Sequence, residues 1–187
     1  MIYITSDLHF CHDREFIYGP RGFKSVLEMN EALVKNWNEL ITPDDDVYVL
    51  GDLVLNDIHE GIRYWDQLVG RKHVILGNHD TGDRPELYKQ CHDTVVEGYA
   101  MPLRYKHYEF FLSHYPTVTD HYKEGESLHN LVIDLCGHTH TDDKFADFDN
   151  GLIYHVELDA HDNRPVRIDR VIEDVKRRLL LKRHIQG

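Results

Sequence analysis

Val74-Ile75-Leu76-Gly77-Asn78-His79-Asp80 is the stretch that decides how this chain is read. A short β-branched apolar run ends at a glycine, and three polar side chains able to hold a cation or move a proton follow at once. A buried strand that delivers functional groups to the rim of a sheet has this pattern. Four more apolar runs end the same way. Ile2 to Ser6 leads into Asp7-Leu8-His9, Val47 to Leu50 into Gly51-Asp52, Phe110 to Ser113 into His114, and Leu131 to Cys136 into Gly137-His138-Thr139-His140. One strand ending in a histidine carries little information. Five that collect Asp, Asn and His point to one site.

Outward from that stretch, the first ninety residues alternate strand and helix, as a parallel sheet with crossover helices does. Residues 2–6, 47–50 and 73–76 are strands. Val26, Met29, Leu33, Trp37 and Leu40 recur at helical spacing, and Ser25 with Glu28 forms a capping box at the start. Ile58, Ile62, Trp65, Leu68 and Val69 give a second helix, stopped by Gly70, and residues 85–90 a short third one. Residues 10–24 carry turn chemistry and read as a loop. Later segments near 93–97, 99–105 and 108–113 are closely spaced, which favours hairpins. Tyr115 to Asn130 reads as a loop over the site and Asp142 to Asp149 as an acidic loop. Asn150-Gly151 reads as a tight turn into a strand at 152–158. A last short strand covers 164–168, and an amphipathic helix about 170–184. Repeats, low-complexity runs and linkers are absent, so residues 1–187 are expected to form a single domain.

Composition narrows the function classes. The chain has 187 residues, 41% of them hydrophobic, with 21 Lys and Arg against 33 Asp and Glu, for a formal charge of −12. Such a chain binds nucleic acid or anionic membrane poorly, unless cations held by a carboxylate cluster reverse the local sign. Its 15 histidines fall mostly at element ends. Cys11, Cys91 and Cys136 lack CxxC spacing, which argues for a reducing compartment and against a thiolate zinc site. No stretch approaches the roughly 20 apolar residues that span a bilayer. With no basic leader before the first strand, a soluble cytoplasmic protein is expected.

Carboxylate, amide and imidazole donors are what a hard divalent ion wants, and a two-metal site needs a carboxylate to bridge. Asp7 and His9 lie two apart, so on an extended segment both face one side; His138 and His140 repeat the spacing. Asp52 follows a glycine that lets the chain bend, which suits a bridging role. Asn78 and His114 complete an inventory large enough for two ions.

Together, Asp7-Leu8-His9, Gly51-Asp52, Gly77-Asn78-His79-Asp80, His114 and Gly137-His138-Thr139-His140 resemble the five ordered blocks of the calcineurin-like metallophosphoesterases. They span residues 5–140, about three quarters of the chain. The resemblance implies a four-layer α/β/β/α sandwich with two mixed β-sheets. Carried over by position, it implies one metal on Asp7, His9, Asp52 and His140 and a second on Asp52, Asn78, His114 and His138. The expected ions are Mn²⁺, with Fe, Zn, Co or Ni fitting the same donors. A hydroxide bridging the metals would attack the phosphorus, His79 would assist the leaving group, and Asp80 would aim His79.

Gly51-Asp52-Leu53-Val54-Leu55 lacks the acidic-Arg-Gly continuation of the protein phosphatase branch, and Asp80 stands where that branch has Glu. The opening Asp7 to His12 is instead similar to small phage and bacterial members. Substrates expected from this are small phosphoesters, nucleotides or nucleic-acid ends, with His12, Arg14 and Arg21 as candidate substrate contacts. Surface cations near a turn are more often only solvated, and His121, His129 and His155 read as bystanders. Two other readings stay open: a metal-stabilised binding module without turnover, and a nucleic-acid end-processing enzyme. Loss of ligands would favour the first, and this chain keeps them. Salt-dependent action on oligonucleotide ends would favour the second.

Overall fold

A computed structural model describes residues 1–117, 119, 120, 123, 126–145 and 152–185, the last five through their backbone only. Four strands, β1 (Ile2–Thr5), β2 (Asp46–Leu50), β3 (Arg71–Ile75) and β4 (Thr94–Gly98), lie parallel in one sheet. Between them run helices α1 (Glu15–Tyr18), α2 (Val26–Asn38), α3 (Ile58–Trp65) and α4 (Arg84–Tyr88). A second sheet follows in the order β5 (Ala100–Tyr105), β6 (Tyr108–Ser113), β7 (Val132–Cys136) and β8 (Ile153–His155). Only β5 and β6 are antiparallel there. The short strand β9 (Val166–Arg167) returns antiparallel to β1, and α5 (Ile168–Ile185) ends the chain. The result is the expected α/β sandwich of two mixed sheets with helices.

Side-chain alternation along the first sheet separates two cores. Tyr3, Val47, Val49 and Val74 face the helices and pack with Met29, Leu33, Trp37, Trp65 and Tyr88. Ile4, Leu50 and Ile75 face the second sheet and meet Phe110, Leu112, Ile133, Leu135 and Tyr154, together with Val171, Val175 and Leu179 of α5. Helix α2 begins as its capping pattern requires, with the Glu28 N–H donating to Ser25 Oγ at 3.2 Å. Among the described residues no helix is long and apolar enough to cross a membrane.

Three sequence expectations need correction. Residues 10–24 include the single helical turn α1, which has no side-chain cap to announce it. Segment 94–98 does not open a hairpin; β4 completes the first sheet, and the chain changes sheets between Gly98 and Ala100. The strand read at 152–158 is limited to β8, because Leu158–His161 turn into a 3-10 helix. The Asn150-Gly151 turn lies outside the described residues.

Gly61 shows how closely the helix layer is packed. A β-carbon there would collide with Val54 Cγ1 and stand 3.0 Å from Val54 Cβ, and Val54 is fully buried. Alanine gains about 1 kcal/mol over glycine in a helix interior, but overpacking a core costs about 1–3 kcal/mol. Gly61→Ala is therefore expected to lower the urea midpoint. An unchanged or raised midpoint would show that α3 shifts freely on the sheet.

Candidate metal centre

Every expected block ends where parallel strands of the two sheets deliver their carboxyl ends, the usual position of a site in such sheets. The loops are laced together by main-chain bonds. The Asp7 N–H donates to the Gly51 carbonyl at 3.0 Å, His9 N–H to Asp52 at 3.0 Å, and Gly137 N–H to His114 at 3.0 Å. A parallel bridge from Ser6 to Glu157 joins the two sheets at this end. Close approach excludes side chains at the glycines: a β-carbon on Gly51, at φ +91°, would lie 2.6 Å from His114 Nδ1 and 2.7 Å from the Gly77 Cα.

Asp7, His9, Asp52, His138 and His140 all have left-handed backbones, with φ of 57°, 51°, 56°, 75° and 50°. Such conformations cost about 1–3 kcal/mol each for residues other than glycine. The sequence expectation of extended segments is thus corrected. Asp7 and His9 still share a side, while the intervening Leu8 and the following Phe10 are buried in the helix-side core.

Among the described residues two groups of donors could hold a metal ion: Asp7, His9 and His140, and Asp7, Asp52 and His114, each with ligand atoms within 4.8 Å of one another. Their histidines are oriented from behind. His114 Nδ1 lies 2.8 Å from the Leu50 carbonyl, which only accepts, so Nδ1 carries the proton. Its Nε2 then faces Asn78 Oδ1 at 2.8 Å and Asp52 Oδ2 at 3.5 Å. His140 Nδ1 faces Asp159 Oδ2 at 3.1 Å, leaving Nε2 at 3.1 Å from His9 Nε2. His138 Nδ1 stands 3.2 Å from His114 Nε2. Asp7 Oδ1, fully buried, has no hydrogen-bond partner. A buried carboxylate oxygen without a hydrogen-bond partner beside these ring nitrogens is an arrangement that a cation satisfies.

Electrostatics separate the two carboxylates. Burial works against the Asp7 charge, but the neighbouring His9, with His140 and His114, holds its carboxyl at about 2. Burial raises Asp52, with Asp7 and Asp80 adding to the rise against the charge of His114. Burial lowers His9 to about 4. His140 is raised, because Asp159 and Asp7 outweigh its burial.

Two expected roles are corrected. Asp80 does not aim His79: its carboxylate accepts from the N–H groups of Asp52 (2.7 Å), Gly77 (2.9 Å) and Leu53 (3.2 Å) and from Tyr88 Oη (2.8 Å). His79 instead approaches Asp52, its Nε2 3.9 Å from Oδ2 and its N–H donating to Oδ1 at 2.9 Å. Arg21 is no substrate contact. Its guanidinium is buried, forked onto Asp159 at 2.8 and 3.0 Å, with a further bond to the Asp7 carbonyl at 2.7 Å. Arg14 is exposed and bonds the Asp13 carbonyl, while His12 Nδ1 lies 2.9 Å from His9 Nδ1.

Sequence reading missed Asp159 and Glu157. Both follow the apolar Ile153–Val156 run, so the strand-end pattern used elsewhere could have found them. Glu157 is buried, pairs with His155 at 3.1 Å and accepts from Thr139 Oγ1 at 2.9 Å, which steadies the loop carrying His138 and His140. His155, read as a bystander, therefore supports the site through Glu157.

No protein-family model matches the chain. Over 183 residues it is 30% identical to the Gene 66 protein of Mycobacterium phage L5, covering 84% of this chain and 86% of that one. It belongs to the family of that phage protein. It is also 43% identical over 81 residues, 42% of this chain, to Uncharacterized protein MJ1445 of Methanocaldococcus jannaschii, of whose length the match covers 46%. The crystal structure of the protein of unknown function AQ665 from Aquifex aeolicus superposes with a TM-score of 0.65 at 25% identity, over 94% of this chain and 98% of that one. Four of the blocks contribute Asp7, His9, Asp52, His114 and His140 to the two groups of donors, and Asn78 of the fifth lies 2.8 Å from His114 Nε2.

Removing one member of a buried ion pair strands the other, at a cost of about 3–5 kcal/mol. Arg21→Met is expected to lose that much stability in urea, and Arg21→Met with Asp159→Leu less than the sum of the single changes. Strict additivity would mean that the pair does not act as a unit.

Proposed function

We propose that this chain is a phosphoesterase that holds two divalent ions and hydrolyses phosphodiester or phosphomonoester bonds. The observation that carries this reading is the convergence of the Asp7 and Asp52 carboxylates with the Nε2 atoms of His9, His114 and His140. Asp7, His9, Asp52 and His140 would hold one ion, and Asp52, Asn78, His114 and His138 the other. When bound, the ions, Mn²⁺ first among those the donors suit, supply the positive charge that activates water and draws electrons from a phosphoryl group.

The remaining steps fall to side chains. Asp52 Oδ2 faces both His9 Nε2, at 3.7 Å, and His114 Nε2, at 3.5 Å, which suits it to both proposed ligand sets, while Oδ1 accepts the His79 N–H. His79 sits at the solvent rim, its side chain 45% exposed. From there it can hand a proton to an oxygen that must depart into water. Burial of His9 and His114 at the floor keeps competing water from these nitrogens. Three free cysteines, Cys11, Cys91 and Cys136, suit a reducing cytoplasm. The substrate range runs from small phosphoesters to nucleotides and nucleic-acid ends.

Protein loaded with Mn²⁺ is expected to cleave bis-p-nitrophenyl phosphate or p-nitrophenyl phosphate, and a chelator to abolish turnover. Silence on both substrates with metal bound would leave a binding module as the better reading. His79→Ala is expected to reduce kcat by about 10²–10⁴-fold while metal content by elemental analysis stays near that of the parent. Loss of the metals in that variant would refute the separation of the proton-donating and ligating roles.

A further inference from the structure

Two large aromatic side chains stand in solvent beside the donor cluster. Phe16 is 69% exposed and Tyr115 51%. Phe16 meets His12 edge-on at 5.9 Å, and His12 stacks on His9 at 5.0 Å and lies 6.2 Å from His79. Tyr115 stands edge-on to His138 at 4.7 Å and to His114 at 5.2 Å. The two rings therefore flank the site from different sides, Phe16 beside His12, His9 and His79, Tyr115 beside His114 and His138.

The backbone under each ring is fixed although the ring itself is largely exposed. Ile17, next to Phe16, is buried in the helix-side core, and its N–H donates to the Arg14 carbonyl at 2.9 Å. The Tyr115 carbonyl accepts from Ser113 Oγ at 2.8 Å and Thr117 Oγ1 at 3.2 Å. Rings held this way are preorganised for contact and contribute little to the core. Two nearby cations that might have recognised substrate charge are engaged elsewhere: Arg21 with Asp159, and Arg84 with the Val54 and Thr81 carbonyls. Neither of these two is free to read the ester groups, whereas the two rings are exposed.

We propose that Phe16 and Tyr115 hold planar rings on the ester groups of the substrate, which makes the preferred phosphoester a nucleotide rather than a sugar or alkyl phosphate. This rests on the phosphoesterase reading above. Phe16, on the side of His79, takes the ring of the departing group. Tyr115 takes the ring of a second ester group when the substrate is a diester. Bases stack on aromatic side chains whatever their sequence, so the preference is for a base and not for one base.

Adenosine 5′-phosphate and ribose 5-phosphate share a phosphate and a leaving oxygen and differ in the base, and their methyl diesters extend the comparison to diesterase activity. With Mn²⁺-loaded protein, kcat/KM is expected to favour the base-bearing member by about tenfold or more. Phe16→Ala should bring that ratio close to one for monoesters, and Phe16→Tyr should keep it. A dinucleotide compared with its single-base analogue should lose its advantage in Tyr115→Ala and retain it in Tyr115→Phe. Calorimetric binding of adenosine 5′-phosphate against ribose 5-phosphate should show the same ranking. Equal rates for both compounds in the parent, or a preference that survives both alanine changes, overturns the ring proposal and leaves the phosphoesterase reading standing. No turnover of these compounds or of either nitrophenyl ester overturns both.

Discussion

A single buried carboxylate sets the shape of this site. Asp80 is 1% exposed, and its oxygens are shared among three main-chain N–H groups and the Tyr88 hydroxyl. A buried anion is tolerable only when its lone pairs are met by well-aimed donors. Here the donors belong to two different strand ends, Asp52 and Leu53 after β2 and Gly77 after β3, with Tyr88 from α4 closing the group. Satisfying Asp80 thus brings the Gly51-Asp52 turn against the Gly77-Asn78 turn. Asp52 and Asn78 acquire their positions as a consequence. The same proximity forbids a side chain at Gly51, and it lets the His79 N–H reach Asp52.

A second anion does comparable work from the opposite side. Asp159 is held below the usual carboxylate range, its burial outweighed by the bonds to His140 and Arg21. Arg21 has already spent one N–H on the Asp7 carbonyl, so one guanidinium links the loop after β1 to the 3-10 turn after β8. His140 is the beneficiary, since its outer nitrogen is fixed and its inner one is aimed at His9 and Asp7. The forked geometry explains the residue type: lysine offers a point charge and could not meet both carboxylate oxygens while donating to a carbonyl.

The grouped residues Asp7, His9, Asp52, His114 and His140 were legible in the sequence because strand ends write them locally: an apolar run, then Gly or a polar pair. The two-sheet fold was carried by the same blocks. What stayed hidden depends on partners distant in sequence. Arg21 looked like a loop cation because Asp159, which consumes it, lies 138 residues away. Asp80 looked like the partner of its neighbour His79, whereas in a tight turn adjacent side chains diverge and main-chain N–H groups converge. Segment 94–98 has strand composition, but composition does not say which sheet takes it. Its pairing with β3 is decided by the crossover through α4, a matter of handedness and packing. Helix α1 was invisible because four residues without a cap leave no periodicity.

The donors come from both sheets, and this ties the site to the core between them. Asp7, His9, Asp52 and Asn78 follow strands of the first sheet; His114, His138 and His140 follow strands of the second. Their separations are therefore set by how Ile4, Leu50 and Ile75 pack on Phe110, Leu112, Ile133 and Leu135. A close-packed interface of this kind has few ways to relax, so the spacing of donors is as rigid as the core beneath them. The left-handed residues above it have the opposite character, each held in a costly conformation by bonds to neighbouring loops. Folding energy gathered between the sheets is thus used to hold the Asp7 and Asp52 carboxylates close to the rings of His9, His114 and His140.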